Sequence, residues 1–291
     1  MLTEPTSVWE NIEWNDELDR ELTDYLKSRW SGTKDWIWFH EKPENNIDRI
    51  SAEIRVDLRK PTVGLLTNVM WDAQLHYGTN AFPNMMAWIL DTVEYFSKRP
   101  DLQLLIRVHP AEIRGTMKSR QSVVTEIAAQ WPQLPSNVFI IPPESNVSTY
   151  AAMEQCDSVL IYATKTGVEL AAMGIPVAVA GEAWIRGKGF SMDADSPTSH
   201  RSILDQLPRG SRLSDSEVAR ARRYAYHFFF RRMIPMPFIT AAENWPPYQL
   251  NISSISELEV GVDSGLDLIC DGILKQSPFI YRAEEQGYPN I

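Results

Sequence analysis

The sequence predicts an α/β protein built on a parallel sheet with helices on both faces. Apolar runs at Thr62–Asn68, Leu102–Val108, Val138–Ile141, Ser158–Tyr162 and Pro176–Ala180 recur at near-even intervals. Segments with helical spacing separate them, and strands alternating with helices indicate parallel βαβ units. The runs are continuous rather than alternating, as expected of strands covered on both faces.

Each element follows from local residues. Asn15-Asp16-Glu17 starts a helix through Leu18, Leu22, Tyr25, Leu26 and Arg29, with Gly32 as its stop. Asp35 to Phe39 reads as a short buried segment, in a Trp-rich, mostly helical stretch over residues 1–60. After the first strand comes a long loop, Val69 to Phe82, and Pro83 opens a helix through Met86, Ile89, Leu90, Val93 and Phe96. Ile113 to Trp131 is expected as one helix, Thr149 to Gln155 as a short one, and Thr166 to Met173 as a third that ends at Gly174. Pro176–Ala180 is the last clear strand. Ser214 to Met233 forms another helix, opened by a capping box of Ser214 and Glu217, and Ser256 to Lys275 the final one, after an irregular Pro-rich stretch. The chain divides into segments 1–60, 61–245 and 246–291, the last packing back on the fold.

Composition narrows the function. The 291 residues carry 28 Lys and Arg against 38 Asp and Glu, a net charge of −10. An acidic chain repels phosphate backbones, so nucleic acid is not an expected partner. Hydrophobic residues make up 44% of the chain, enough to build a core, and no apolar run approaches the length of a membrane span. No signal peptide is visible at the N-terminus, so the expected location is cytoplasmic, with peripheral attachment to the inner membrane compatible with it. Cys156 and Cys270 lie in apolar sequence and are expected to be buried thiols. The five histidines, His40, His76, His109, His200 and His227, show no ligand spacing, and no Asp-x-Asp motif is present, so neither a metal nor another cofactor is expected. A phosphate-binding P-loop, a Gly-x-Gly-x-x-Gly fingerprint and a Gly-x-Ser-x-Gly elbow are also missing.

Three loops leave strands at the sheet edge where open parallel sheets bind ligands. Arg107-Val108-His109-Pro110-Ala111-Glu112 places a Pro-fixed imidazole there, able to donate to a phosphate; a helix-capping His is the plainer alternative. Thr164-Lys165-Thr166-Gly167-Val168-Glu169 places hydroxyls, a glycine and backbone N–H groups at a helix start, an anion-binding arrangement. Glu169 on that first turn is placed to accept ribose hydroxyls; alternatively it complements the helix dipole. Arg186-Gly187-Lys188-Gly189 sets two cations beside glycines that let the backbone approach a ligand, against a solvated turn as the alternative. Asp72, in the loop after the first strand, is a candidate catalytic carboxylate, the alternative being an Asp that caps its own turn.

Leu66-Thr67-Asn68-Val69-Met70-Trp71-Asp72, Arg-x-His-Pro-x-Glu at 107–112, Thr-x-Thr-Gly-x-Glu at 164–169 and Arg-Gly-Lys-Gly-Phe at 186–190 together resemble bacterial capsule and surface-polysaccharide glycosyltransferases, above all the Kdo-transferase type. The His-Pro element is similar, more distantly, to that of bacterial sialyltransferases and glycerophosphotransferases. The resemblance covers about residues 62–235. It implies a GT-B fold with two Rossmann-like halves, residues 61–245 being the nucleotide-sugar-binding half. It implies a metal-independent inverting transfer from a nucleotide sugar, with a CMP-linked donor favoured. His109, Thr164 and Thr166 would lie at the phosphate and Glu169 at the ribose, with Glu112, Lys165, Gly167, Arg186, Lys188 and Gly189 completing the donor site. A glycan or glycolipid is the implied acceptor. Only about 60 residues precede the first strand, so the resemblance implies a donor-binding half, a fragment, or a minimal variant whose acceptor side is supplied by a partner domain or subunit. A non-catalytic nucleotide-sugar-binding subunit and a sugar-nucleotide epimerase are the rival readings.

Overall fold

The computed structural model describes residues 3–31, 43–72, 78–114, 117–242 and 248–287. Gly32 and the segment Asp35–Phe39 lie outside them. The chain forms two compact units, Met1–Val8 with Asp24–Arg222, and Trp9–Thr23 with Arg223–Ile291. These divisions cut across the three segments drawn from the sequence.

In chain order the elements are α1 (Ser7–Glu10), α2 (Asp16–Ser31), α3 (Ile47–Ile54), β1 (Thr62–Leu66), α4 (Met85–Ser97), β2 (Gln103–Arg107), α5 (Ala111–Arg114) and α6 (Val123–Gln130). Then come β3 (Val138–Ile141), α7 (Thr149–Glu154), β4 (Ser158–Ile161), α8 (Thr166–Ala172), β5 (Val177–Val179), β6 (Met192–Asp193), α9 (Pro197–Leu204) and α10 (Asp215–Tyr226). A π-helical turn (His227–Arg231), β7 (Ile239–Ala241), β8 (Tyr248–Leu250), a 3₁₀ turn (Ile255–Leu258), α11 (Ser264–Lys275) and α12 (Ala283–Gln286) complete the chain.

In the larger unit six strands form one parallel sheet in the order β3-β2-β1-β4-β5-β6. The four inner strands are buried at every position, while β3 and β6 at the edges are partly exposed. This is the doubly wound order, in which the chain moves outward from β1 and then returns to its other side. β1 and β4 are therefore neighbours whose connections diverge, and it is beyond the C-terminal ends of such a strand pair that doubly wound sheets form their ligand crevice. α4 buries Met85, Met86, Trp88, Ile89, Val93 and Phe96 in the core, each contributing about 1.5–3 kcal/mol. On β1, Gly64 leaves room for Met153 of α7, whose sulfur would collide with any Cβ there.

Several sequence expectations change at element ends. Asn84, not Pro83, opens α4, its side chain accepting from Ala87 N–H at 2.8 Å. The helix expected over Ile113–Trp131 is two, because the buried Glu112 carboxylate accepts Val123 N–H at 2.9 Å and Ser122 caps a fresh start at α6. The capping box at Ser214 and Glu217 forms, but the helix passes at Tyr226 into the π-helical turn, closed by Arg232 N–H on His227 C=O at 2.9 Å. α11 starts at Ser264 rather than Ser256, since Asp263 supplies its cap. β6, two residues long, is too short to leave an apolar run.

In the smaller unit Trp9 packs edge-on against Tyr224, and the Tyr226 hydroxyl donates to Glu21 at 3.0 Å. Phe228, Phe229 and Phe230 are all buried in the π-helical turn. β7 and β8 pair antiparallel. Cys156 is buried as expected, but Cys270 is exposed, on the face of α11 that finds no cover among the described residues.

Candidate functional site

The two residues after β1 tie the crevice together. Thr67 N–H continues the ladder onto Arg107 C=O at 3.2 Å, and its hydroxyl oxygen accepts His109 N–H at 2.9 Å. Asn68 Oδ1 accepts Ala163 N–H at 3.3 Å, joining β1 to the loop after β4. One strand end thus holds both flanking loops in register.

His109 is half-buried at the end of β2. Its Nδ1 accepts Ala111 N–H at 3.1 Å, which fixes the neutral tautomer with the proton on Nε2. Burial, and then the Arg107 cation, push its pKa down to about 4, against the pull of Asp72. At neutral pH this imidazole is an uncharged donor. Arg107 itself is buried at 2% exposure, donating to Pro142 C=O at 2.7 Å, Ser145 C=O at 3.3 Å and Thr149 Oγ1 at 3.2 Å. Burial lowers its pKa to about 10, so it stays charged under the site. Asp72 is exposed, with its N–H on Val69 C=O at 3.3 Å, and acts electrostatically on His109. Glu112 does not reach this group, because its carboxylate is spent on α6.

After β4, the half-buried Thr164 and Thr166 hydroxyls lie 3.2 Å apart and Lys165 is exposed between them. Gly167 is fixed by packing: a Cβ there would meet Ile161 Cδ1 at 2.5 Å. Glu169 departs from expectation. It is fully buried, ion-paired to Arg29 Nε at 2.6 Å, and accepts the Tyr150 hydroxyl at 2.5 Å. A carboxylate sealed from water is tolerated where both oxygens are engaged. Trp30 stacks on Tyr150, ring centres 5.9 Å apart, completing this enclosure.

The third loop also turns inward. Arg186 donates to Gly181 C=O at 3.0 Å and to Ala194 C=O, closing the β5–β6 connection on itself. Lys188 is 1% exposed, and burial lowers its pKa. Its carbonyl accepts Arg220 Nε–H at 2.6 Å. Gly187 and Gly189 take left-handed φ of +72° and +82°, serving the turn itself. The structure therefore places Thr67, Asn68, His109, Thr164 and Thr166 at or just after the C-terminal ends of β1, β2 and β4, with Asp72 in electrostatic range of His109. It directs Glu112, Glu169, Arg186 and Lys188 to protein partners. Thr67, Asn68, Arg107 and the Arg29–Tyr150 pair were not singled out as site residues by sequence. Among the described residues no three His, Cys, Asp or Glu side chains form a metal-holding group.

Solved structures similar to this chain include two of Thermosulfurimonas dismutans KpsC. One is a beta Kdo 2,4 transferase (15% identity, 77% of this chain, 61% of that chain, TM-score 0.48), the other a beta Kdo 2,7 transferase (13%, 86%, 64%, 0.42). UDP-GlcNAc 2-epimerase from Neisseria meningitidis, bound to UDP-GlcNAc, is a third (13% identity, 72% of this chain, 52% of that chain, TM-score 0.42). The chain thus spans less than two thirds of the length of each. No curated protein matches the sequence. Residues 38–221, more than half of the chain and the stretch that contains the whole parallel sheet, match the family described as capsule polysaccharide biosynthesis protein, and the chain belongs to that family.

Proposed function

We propose that this chain binds the nucleotide-sugar donor of a capsule-polysaccharide glycosyltransferase of GT-B type, at the crevice between β1 and β4. The observation that carries the reading is His109: an imidazole kept neutral, its proton on Nε2, at the end of β2 and tied through Thr67 to the end of β1 beside the switch point of a doubly wound sheet. In the transfer, an acceptor hydroxyl oxygen attacks the anomeric carbon and the sugar–phosphate bond breaks. The bonding pair leaves with the nucleotide phosphate. His109 Nε2–H and the Thr164 and Thr166 hydroxyls donate to the phosphate oxygens as that charge grows, and buried Arg107 favours it from below. The acceptor proton goes to a carboxylate base, for which Asp72 is the candidate on this chain, and the transfer inverts the anomeric centre without a metal ion.

Glu169 contributes by anchoring α8 rather than by meeting the ribose. A CMP-linked donor is favoured by the motif resemblance, and the acceptor is a glycan or glycolipid. A partner domain or subunit completes the acceptor side. No helix among the described residues is long and apolar enough to cross a membrane. We place the work on the cytoplasmic side, at the inner-membrane surface where a glycolipid acceptor resides.

Thermal shift against CMP, CDP, UDP and GDP tests this reading. A ligand at 100 times its Kd stabilises the folded state by about 2.7 kcal/mol, so CMP is expected to raise Tm most. A preference for GDP would reject the CMP assignment, and no shift with any nucleotide would reject the site.

A further inference from the structure

The geometry points to Asn68 as a donor-binding residue whose side-chain NH2 hydrogen-bonds a phosphoryl oxygen of the nucleotide sugar. The inference rests on the nucleotide-sugar reading and assigns a contact within that site.

Three observations carry it. Asn68 stands at the point where strand order reverses, between His109 on one side, reached through Thr67, and Ala163 on the other. Its amide orientation is determined: Ala163 N–H can only donate, so Oδ1 faces it and the NH2 is directed away from it. With its own N–H on Met85 Sδ at 3.1 Å, the residue is held at both backbone and side chain. It is 8% exposed, yet the NH2 forms no hydrogen bond among the described residues. Nor is that nitrogen sealed off, unlike the unpartnered indole nitrogens of Trp88 and Trp131. A nearly buried amide with both N–H bonds unused and still reachable is a preorganised donor. An NH2 accepts nothing, so it selects an acceptor, and an oxyanion takes a charge-assisted bond best.

Asn68→Asp isolates this role. It keeps an oxygen for Ala163 N–H and nearly the same shape, but replaces the donor with a negative charge. Titration calorimetry at pH 8 would compare CMP with cytidine, which has the same base and ribose and no phosphate. The expected result is a CMP affinity at least tenfold weaker, with cytidine affinity and Tm close to those of the unsubstituted chain. CMP binding within twofold of the unsubstituted chain overturns the assignment while leaving the nucleotide reading in place. Equal losses for CMP and cytidine also overturn it, because Asn68 would then only shape the crevice. If the unsubstituted chain binds neither CMP, UDP, GDP nor pyrophosphate, the nucleotide reading falls and this contact with it. Should Asn68→Asp fail to fold, Asn68→Ser carries the same comparison, its hydroxyl being too short to reach the phosphate while remaining polar.

Discussion

The loop after β2 and the loop after β5 leave the same edge of one sheet, each with nitrogen-bearing side chains in a Pro or Gly frame. Their side chains are used differently. His109 receives Ala111 N–H on one ring nitrogen and keeps its proton on the other. Arg186 instead donates to carbonyls of its own β5–β6 connection, and Lys188 is buried. The same division separates Thr164 and Thr166, half-buried at the crevice, from Glu169, sealed against Arg29 and Tyr150. Residue type and position at a strand end are shared by both groups. What differs is where the fold holds the side chain: His109, Thr164 and Thr166 stay half-buried at strand ends, whereas Glu169 and Lys188 are buried and Arg186 is bonded to its own loop.

The sharpest way to break this comparison lies on the open side. Asp72→Asn keeps the shape and most of the hydrogen-bonding capacity of an exposed loop residue but removes the proposed base. A positioned base contributes ~10²–10⁴-fold in rate, so transfer by the complete enzyme should fall by that factor while CMP affinity and Tm hold. A change below about threefold would return Asp72 to the turn-forming class and place the base on the acceptor side.

The sealed side is tested through stability. Arg29→Met leaves the Glu169 carboxylate buried without its cation, and breaking such a pair costs about 3–5 kcal/mol. Adding Glu169→Gln to Arg29→Met should recover much of that loss, because a neutral amide no longer needs the cation. Urea unfolding of the two single variants and the double variant gives the coupling. A stable Arg29→Met that loses only CMP binding would show that Glu169 serves the ligand after all.

The sheet was readable because its inner strands are buried on both faces, and continuous apolar runs such as Ser158–Tyr162 leave a strong local signal. His109 was readable for a related reason: Pro110 and the strand end fix its position within a few residues. Glu169 was not, because its fate depends on Arg29, 140 residues earlier. In sequence that arginine is only a cation in the last turn of an amphipathic helix, a common dipole partner. The break between α5 and α6 was hidden in the same way. Glu112 caps a helix that begins eleven residues later, beyond the reach of a local capping rule. Asn68 falls between these cases. Its place in a motif was visible, but the direction of its amide depends on Ala163 across the switch point.

The smallest effect is expected at Gly189. Sequence reading placed it where a backbone would approach a ligand, whereas its φ of +82° and its neighbour Arg220 give it a purely local reason to be glycine. A Cβ there would lie 3.1 Å from Arg220 Nε, which also donates to Lys188 C=O, so the side chain has limited room to yield. The left-handed backbone adds roughly 1–2 kcal/mol for a non-glycine residue. Gly189→Ala should therefore lower stability by about that amount in urea unfolding and leave CMP affinity within twofold. This separates two uses of the same residue. If glycine serves the turn, the loss appears in Tm and not in binding. If it serves a ligand's approach, CMP affinity falls while stability changes no more than the left-handed strain requires. The second result would move the β5–β6 loop into the site and would require Arg186 or Lys188 to exchange its protein partners for the nucleotide.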